Sequence, residues 1–130
     1  MADLSLDFQF KSSINKVWNA LTNSETLALW VMENNFKPIV GYKCQFRNEA
    51  IGLVVESEVL EVDEPTKLSY TWVGGPINTI VTWTLKQEGE TTHLHLEHSG
   101  FEQENQAAFN GAKYGWASMV DKLNILLEEM

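Results

Sequence analysis

The sequence predicts an α+β fold: a curved antiparallel six-stranded sheet wrapped around a long C-terminal helix, with two short helices after the first strand. Three observations predict it. Phe109, Ala112, Trp116, Met119, Leu123, Leu126 and Met130 recur at alternating steps of three and four, which puts them on one side of a helix over 103–130. Most of the preceding chain alternates apolar and polar residues between short turns, the pattern of half-buried strands. A helix of that length is about 40 Å long at ~1.5 Å per residue, and it is the one element large enough to cover the sheet.

Taken in order, Leu4, Leu6, Phe8 and Phe10 alternate with Asp3, Ser5, Asp7 and Gln9, a strand with one buried face. Ser12 or Ser13 offers an N-cap for a helix carrying Ile14, Val17, Trp18 and Leu21. Thr22 with Glu25, or Ser24 alone, would cap a second short helix through Leu27, Trp30 and Val31. Glu33-Asn34-Asn35 reads as loop, with Phe36 stranded in it. Tyr42–Arg47 is the second strand, with Tyr42, Cys44 and Phe46 on one face. Along 53–63, Val54, Leu60 and Val62 share a parity with Glu56 and Glu58; either a bulge or a strand end reaching past the core would reconcile them. Asp63-Glu64-Pro65-Thr66 is a turn. Leu68, Tyr70 and Trp72 form one strand face, and Gly74-Gly75-Pro76 breaks the chain after it. Ile77, Thr79, Val81, Trp83 and Leu85 form the next face, followed by a hairpin turn at Glu88-Gly89-Glu90. Leu94, Leu96 and His98 face inward from the last strand, which Ser99-Gly100 ends. Consecutive strands joined by short turns pair antiparallel.

Composition narrows function. The 130 residues fit a single domain, 1–130, and 44% hydrophobic content with five tryptophans supports a large core or a cavity with bulky walls. A net charge of -9 argues against nucleic acid and against an anionic membrane surface. No apolar run is long enough to span a bilayer, the start Met1-Ala2-Asp3 lacks the pattern of a secretory signal, and Cys44 is a lone cysteine. The expectation is a cytoplasmic protein, monomeric or weakly dimeric. No nucleotide-binding glycine loop or nucleophile elbow is present, and no cofactor is expected.

Several stretches together carry a family resemblance. Val17-Trp18 with Leu21-Thr22, then Leu29-Trp30, resembles the start of the START-like, birch-allergen-like superfamily. The stretch from Val59 to Tyr70, then Thr92–Gly100 with Phe101, and Gly115-Trp116 with Leu123, continue the resemblance over nearly the whole chain. The subgroup it is most similar to is the activator-of-heat-shock-ATPase homologue family, in its small bacterial single-domain form. The resemblance implies a helix-grip fold with a cavity between sheet and helix that binds a lipid, sterol, polyketide or other small apolar molecule. Some superfamily relatives are cyclases, aromatases or hydrolases. Eukaryotic namesakes stimulate a chaperone ATPase and carry an additional N-terminal domain, for which this chain has no room. A chaperone-contacting, stress-response domain is one alternative, and a cyclase or hydrolase another.

Trp30, Phe36, Phe46, Tyr70, Trp72, Trp83, Phe109, Ala112, Trp116 and Met119 are the candidate ligand-binding residues, on elements that should converge. The same side chains could instead fill a solid core. Gly111, Gly115 and Ser118 form a small-residue edge on the helix, and each glycine costs about 1 kcal/mol relative to alanine. Close packing of the short helices would explain them, and so would space for a ligand. His98 could be a polar group at the cavity rim, orienting a ligand or serving as an acid–base group, or a histidine hydrogen-bonded to backbone at the strand end. His93, His95 and Glu97 point to one side of their strand and could chelate a metal, but Leu94 and Leu96 claim the buried face, so the trio reads as a solvated face. Glu56 and Glu58 read as an exposed strand end rather than an acid–base pair, and Cys44 as a small core residue.

Overall fold

Burial follows the alternation from the first strand onward. The computed structural model describes residues 2–75, 77–102 and 106–129. In β1 (Ala2–Phe10) Leu4 and Phe10 are buried, Leu6 and Phe8 are half-buried, and Asp3, Ser5, Asp7 and Gln9 are exposed. Ser13 caps α1 (Ile14–Thr22), its Oγ accepting from the Lys16 amide at 3.3 Å. The cap of α2 (Ser24–Trp30) is neither Thr22 nor Ser24. Asn23 Oδ1 accepts from the Thr26 amide at 3.0 Å, while the Thr22 hydroxyl donates to the Trp18 carbonyl and the Ser24 hydroxyl to the Asn34 carbonyl.

The sheet has seven strands, not six. The additional one is β2 (Glu33–Asn34), inside the stretch that reads as loop. Two residues are too few to show a period. The Asn34 amide group holds the strand in place, donating to the carbonyls of Ser24 and Met32 while its oxygen accepts from the Phe36 amide. That anchorage turns Phe36 into the core, against Phe46 and Tyr70. β3 (Lys43–Asn48) is shifted one residue from expectation, with Cys44 and Phe46 buried.

β4 (Leu53–Asp63) corrects the parity expected there. Val55, Ser57 and Val59 face inward, and Val54 and Leu60 are exposed. The ladder to β5 (Lys67–Gly74) slips between Val59 and Glu61, so a bulge, one of the two alternatives, is what resets the alternation and leaves Val62 half-buried. β6 (Ile77–Glu88) and β7 (Thr91–Phe101) form the longest hairpin. Gly100 does not end the sheet. With φ at +100° it supplies a second bulge, opposite Ala2 and Leu4, and β7 continues to a buried Phe101. Pro76 lies outside the described residues.

All pairs are antiparallel, in the order β1-β7-β6-β5-β4-β3-β2, so the first strand lies beside the last and the sheet stays open. Across its inner face lies α3 (Gln106–Glu129). The helix buries Trp116, Val120, Leu123 and Leu127, a stripe turned slightly from the expected one; Phe109, Ala112, Met119 and Leu126 are only half-buried. Gln103 and Met130 lie outside the described residues. Together sheet and α3 make the helix-grip arrangement. Among the described residues no helix is long and apolar enough to cross a membrane.

Candidate functional site

The N-terminal half of α3 does not close fully on the sheet. It leaves a cleft of about 190 Å³ walled on the sheet side by Val55, Trp72, Gly74 and Ile77, and on the helix side by Gly111, Ala112, Gly115, Trp116 and Met119. Met32, Leu53 and Ala108 complete the lining, and none of these side chains is ionisable. Four depressions elsewhere are larger: two hollows of about 220 and 310 Å³ on the sheet, beside Arg47 and beside Lys86, and two of greater size. One of about 460 Å³ on the outer face of β3–β5 is rimmed by Lys43, Glu56 and Glu58; another of about 690 Å³ lies between the start of α1 and the end of α3, among Lys11, Lys16 and Glu128. Both are rimmed by charged side chains with mobile, hydrated ends. Enclosure by apolar walls is what drives small-molecule binding, so the cleft is the candidate site.

The helix glycines choose between their two explanations. A Cβ on Gly111 would meet nothing within 4 Å, and one on Gly115 would meet only the Met119 methyl, at 4.0 Å. Neither glycine permits a close approach to another helix. Both border the cleft, and their missing side chains are part of its volume.

The expected binding residues separate into two groups. Trp72, Ala112, Trp116 and Met119 line the cleft. Trp30, Phe36, Phe46, Tyr70 and Trp83 do not; they are buried beneath it as ring-on-ring core, for instance Trp30 edge-on to Trp83 at 6.0 Å and Phe46 stacked on Tyr70 at 6.1 Å. Phe109 is half-buried against Phe101, away from the lining. Six lining residues other than the two glycines went unmarked in the sequence: Met32, Leu53, Val55, Gly74, Ile77 and Ala108. Gly111 and Gly115 carried the one signal that pointed there.

His98 is fully buried, not at a rim. The Thr79 hydroxyl donates to the Trp72 carbonyl at 2.7 Å, so its oxygen accepts from His98 Nε2 at 2.7 Å; on the other side Trp116 Nε1 donates to His98 Nδ1 at 3.0 Å. This fixes the neutral Nε2–H tautomer. Burial pushes the imidazole down to about 4, in agreement with that assignment. Both nitrogens are used within the protein, and among the described residues no carboxylate lines the cleft to pair with them. The structural hydrogen bond is the reading that fits, although its partners are side chains rather than backbone. Tyr70 lies outside the cleft lining: its hydroxyl accepts from Trp83 Nε1 at 2.9 Å, and burial drives its ionisation strongly upward.

The remaining candidates lie away from the cleft. His93 Nε2 and His95 Nδ1 each lie 2.8 Å from Asp7 Oδ1 on β1, and these hydrogen bonds, that from His95 first, hold the Asp7 carboxyl below its ordinary value. Among the described residues no group of three or more His, Cys, Asp or Glu could hold a metal ion. Glu56 is exposed and Glu58 half-buried, both on the outer face. The buried Cys44 thiol is pushed up to about 11 by desolvation, which keeps it protonated and unreactive.

Solved structures with this architecture are at hand. Protein MLL2253 from Mesorhizobium loti is 35% identical, with a TM-score of 0.94 over 99% of this chain and 98% of that one. Protein BH1534 from Bacillus halodurans is 30% identical, with a TM-score of 0.85 over 98% and 97%. DynU16, a protein in the dynemicin biosynthetic locus, shares the fold at 24% identity and a TM-score of 0.83, over 97% of this chain and 47% of its own. No curated protein sequence matches the chain. The family model described as Activator of Hsp90 ATPase homolog 1-like protein matches residues 11–128, and with that span the chain belongs to this family.

Proposed function

We propose that the protein is a cytoplasmic binding module for a small, uncharged, flat apolar molecule held in the cleft lined by Trp72 on the sheet and by Ala112, Trp116 and Met119 on α3. One observation carries the reading. Two glycines in the middle of a helix, each costing about 1 kcal/mol in helix propensity, face open space in an uncharged cleft instead of packing against anything. Burial of apolar area, at about 25 cal/mol per Å², supplies the driving force. The volume of about 190 Å³ sets the size of the guest. An engineered apolar cavity of about 150 Å³ takes benzene, so one or two fused rings suit this cleft.

Native mass spectrometry of the freshly purified protein, joined to a tryptophan-fluorescence titration with naphthalene, tests the reading. A co-purifying mass of one- or two-ring size, or saturable quenching that Gly111→Leu abolishes, is the expected result. A homogeneous unliganded mass, with no saturable response up to the solubility of naphthalene, would end it.

A further inference from the structure

Five tryptophans stand in this chain, and four of them place their indole N–H on a protein acceptor. Trp18 donates to Glu64 Oε1 at 3.0 Å, Trp30 to the Ala20 carbonyl at 3.0 Å, Trp83 to the Tyr70 hydroxyl at 2.9 Å and Trp116 to His98 Nδ1 at 3.0 Å. Trp72 is the exception: it is only 7% exposed, yet its Nε1 has no hydrogen-bond partner among the described residues. Buried indole donors normally find one. Nor is the atom sealed away. Among the described residues the one fully enclosed side-chain polar atom without a partner is Ser57 Oγ, so Trp72 Nε1 retains open space beside it, and the cleft is the space its side chain lines.

We propose that the Trp72 indole N–H is the polar anchor of the cleft, so that the natural guest is an uncharged aromatic or polycyclic molecule carrying a hydrogen-bond acceptor, of the aryl ketone, quinone or aryl ether class. The proposal rests on the cleft being a binding site and adds the chemistry of its guest. The donor is held in place. The Trp72 ring packs against Phe46 at 5.2 Å and Trp116 at 5.1 Å, and the Trp72 carbonyl accepts from Thr79. The other polar groups nearby do not serve: His98 has both nitrogens bonded, and Tyr70, whose hydroxyl accepts from Trp83, does not line the cleft. A carboxylate guest would find this donor but no cation in the lining, inside a chain of net charge -9. An ammonium guest would find no carboxylate there among the described residues. A neutral acceptor is the class that remains.

The test uses two probes of one shape, acetophenone and α-methylstyrene, which differ in C=O against C=CH₂. They are titrated into protein labelled with ¹⁵N at the indoles. Acetophenone is expected to bind about 5–10-fold more tightly, the worth of one net hydrogen bond. The Trp72 indole proton should move downfield with acetophenone alone, while the other indole protons do not show that difference. Trp72→Phe should erase the preference between the two probes. Equal affinities with an unmoved Trp72 resonance would overturn the anchor and leave the cleft standing as a binding site. Failure of both probes to bind at millimolar concentration would remove the cleft reading and the anchor with it. Should Trp72→Phe fail to fold, the wild-type resonance pattern decides alone.

Discussion

Trp116 on α3 donates its indole proton to His98 on β7 at 3.0 Å, and through Thr79 the relay ends on the backbone carbonyl of Trp72. The two tryptophans that pack on each other beside the cleft are therefore tied by one buried chain of hydrogen bonds. The relay works only with His98 neutral, because a proton on Nδ1 would oppose the Trp116 N–H.

That requirement gives a pH dependence with a definite sign. The buried imidazole titrates at about 4, against 6.5 when exposed. Between those values the unfolded chain holds a proton at His98 that the folded chain does not. Stability from this group is complete above pH 6.5 and is lost as pH falls from there toward 4, up to roughly 3 kcal/mol. Urea unfolding at pH 7.5 and pH 5 should show wild type losing on the order of 2 kcal/mol more than His98→Gln. Parallel losses in the two proteins would mean that His98 is not held neutral.

The cleft glycines predict a gain of stability. Gly111→Ala meets nothing within 4 Å and Gly115→Ala only the flexible end of Met119. Each should raise stability by about 0.5–1 kcal/mol through helix propensity. Thermal unfolding checks this. Gly111→Leu should keep the fold and lose affinity for any cleft probe. A destabilising Gly111→Ala would show that the helix needs its glycine for a reason other than space.

Ser57 makes a similar prediction from the opposite cause. Its hydroxyl is buried in β4 with no partner among the described residues, beside Cys44 across the ladder. Removing an unsatisfied buried hydroxyl is neutral or favourable, so Ser57→Ala should change stability by between 0 and about +1 kcal/mol. A loss of more than about 1 kcal/mol in urea unfolding would reveal a partner for that hydroxyl in solution.

Much of this architecture is legible in the sequence because periodicity reports which face is buried. It gave β1, β5, β6 and the long helix, whose patterns run over many residues. Periodicity failed where local hydrogen bonding overrides it. β2 exists because Asn34 gathers three backbone groups, β4 inverts its parity at a bulge, and β7 runs on through Gly100 at a positive φ. The site was harder. Aromatic residues are equally apt to fill a core or to wall a cavity, and Trp83 and Trp116 differ in this respect only through the space left beside them. Two glycines at helix positions were the better signal, because a missing side chain is volume that packing has to account for.

Met119 offers the sharpest separation of wall from core. Trp116 serves as both: it is 2% exposed, packs on Trp72 and Trp83, and donates to His98. Trp116→Ala should therefore cost the full 3–5 kcal/mol of a core deletion and say little about binding. Met119 is half-buried and borders the cleft with one flank open. Truncating it removes few packed contacts, so Met119→Ala should cost under about 2 kcal/mol, below the usual range for a buried methionine. The cleft gains the volume of the lost thioether, and preference should shift from one-ring toward two-ring probes. Calorimetric unfolding together with paired toluene and naphthalene titrations measures both effects. A loss of 3 kcal/mol or more, or an unchanged size preference, would mean that Met119 belongs to the solid core and that the open space lies elsewhere.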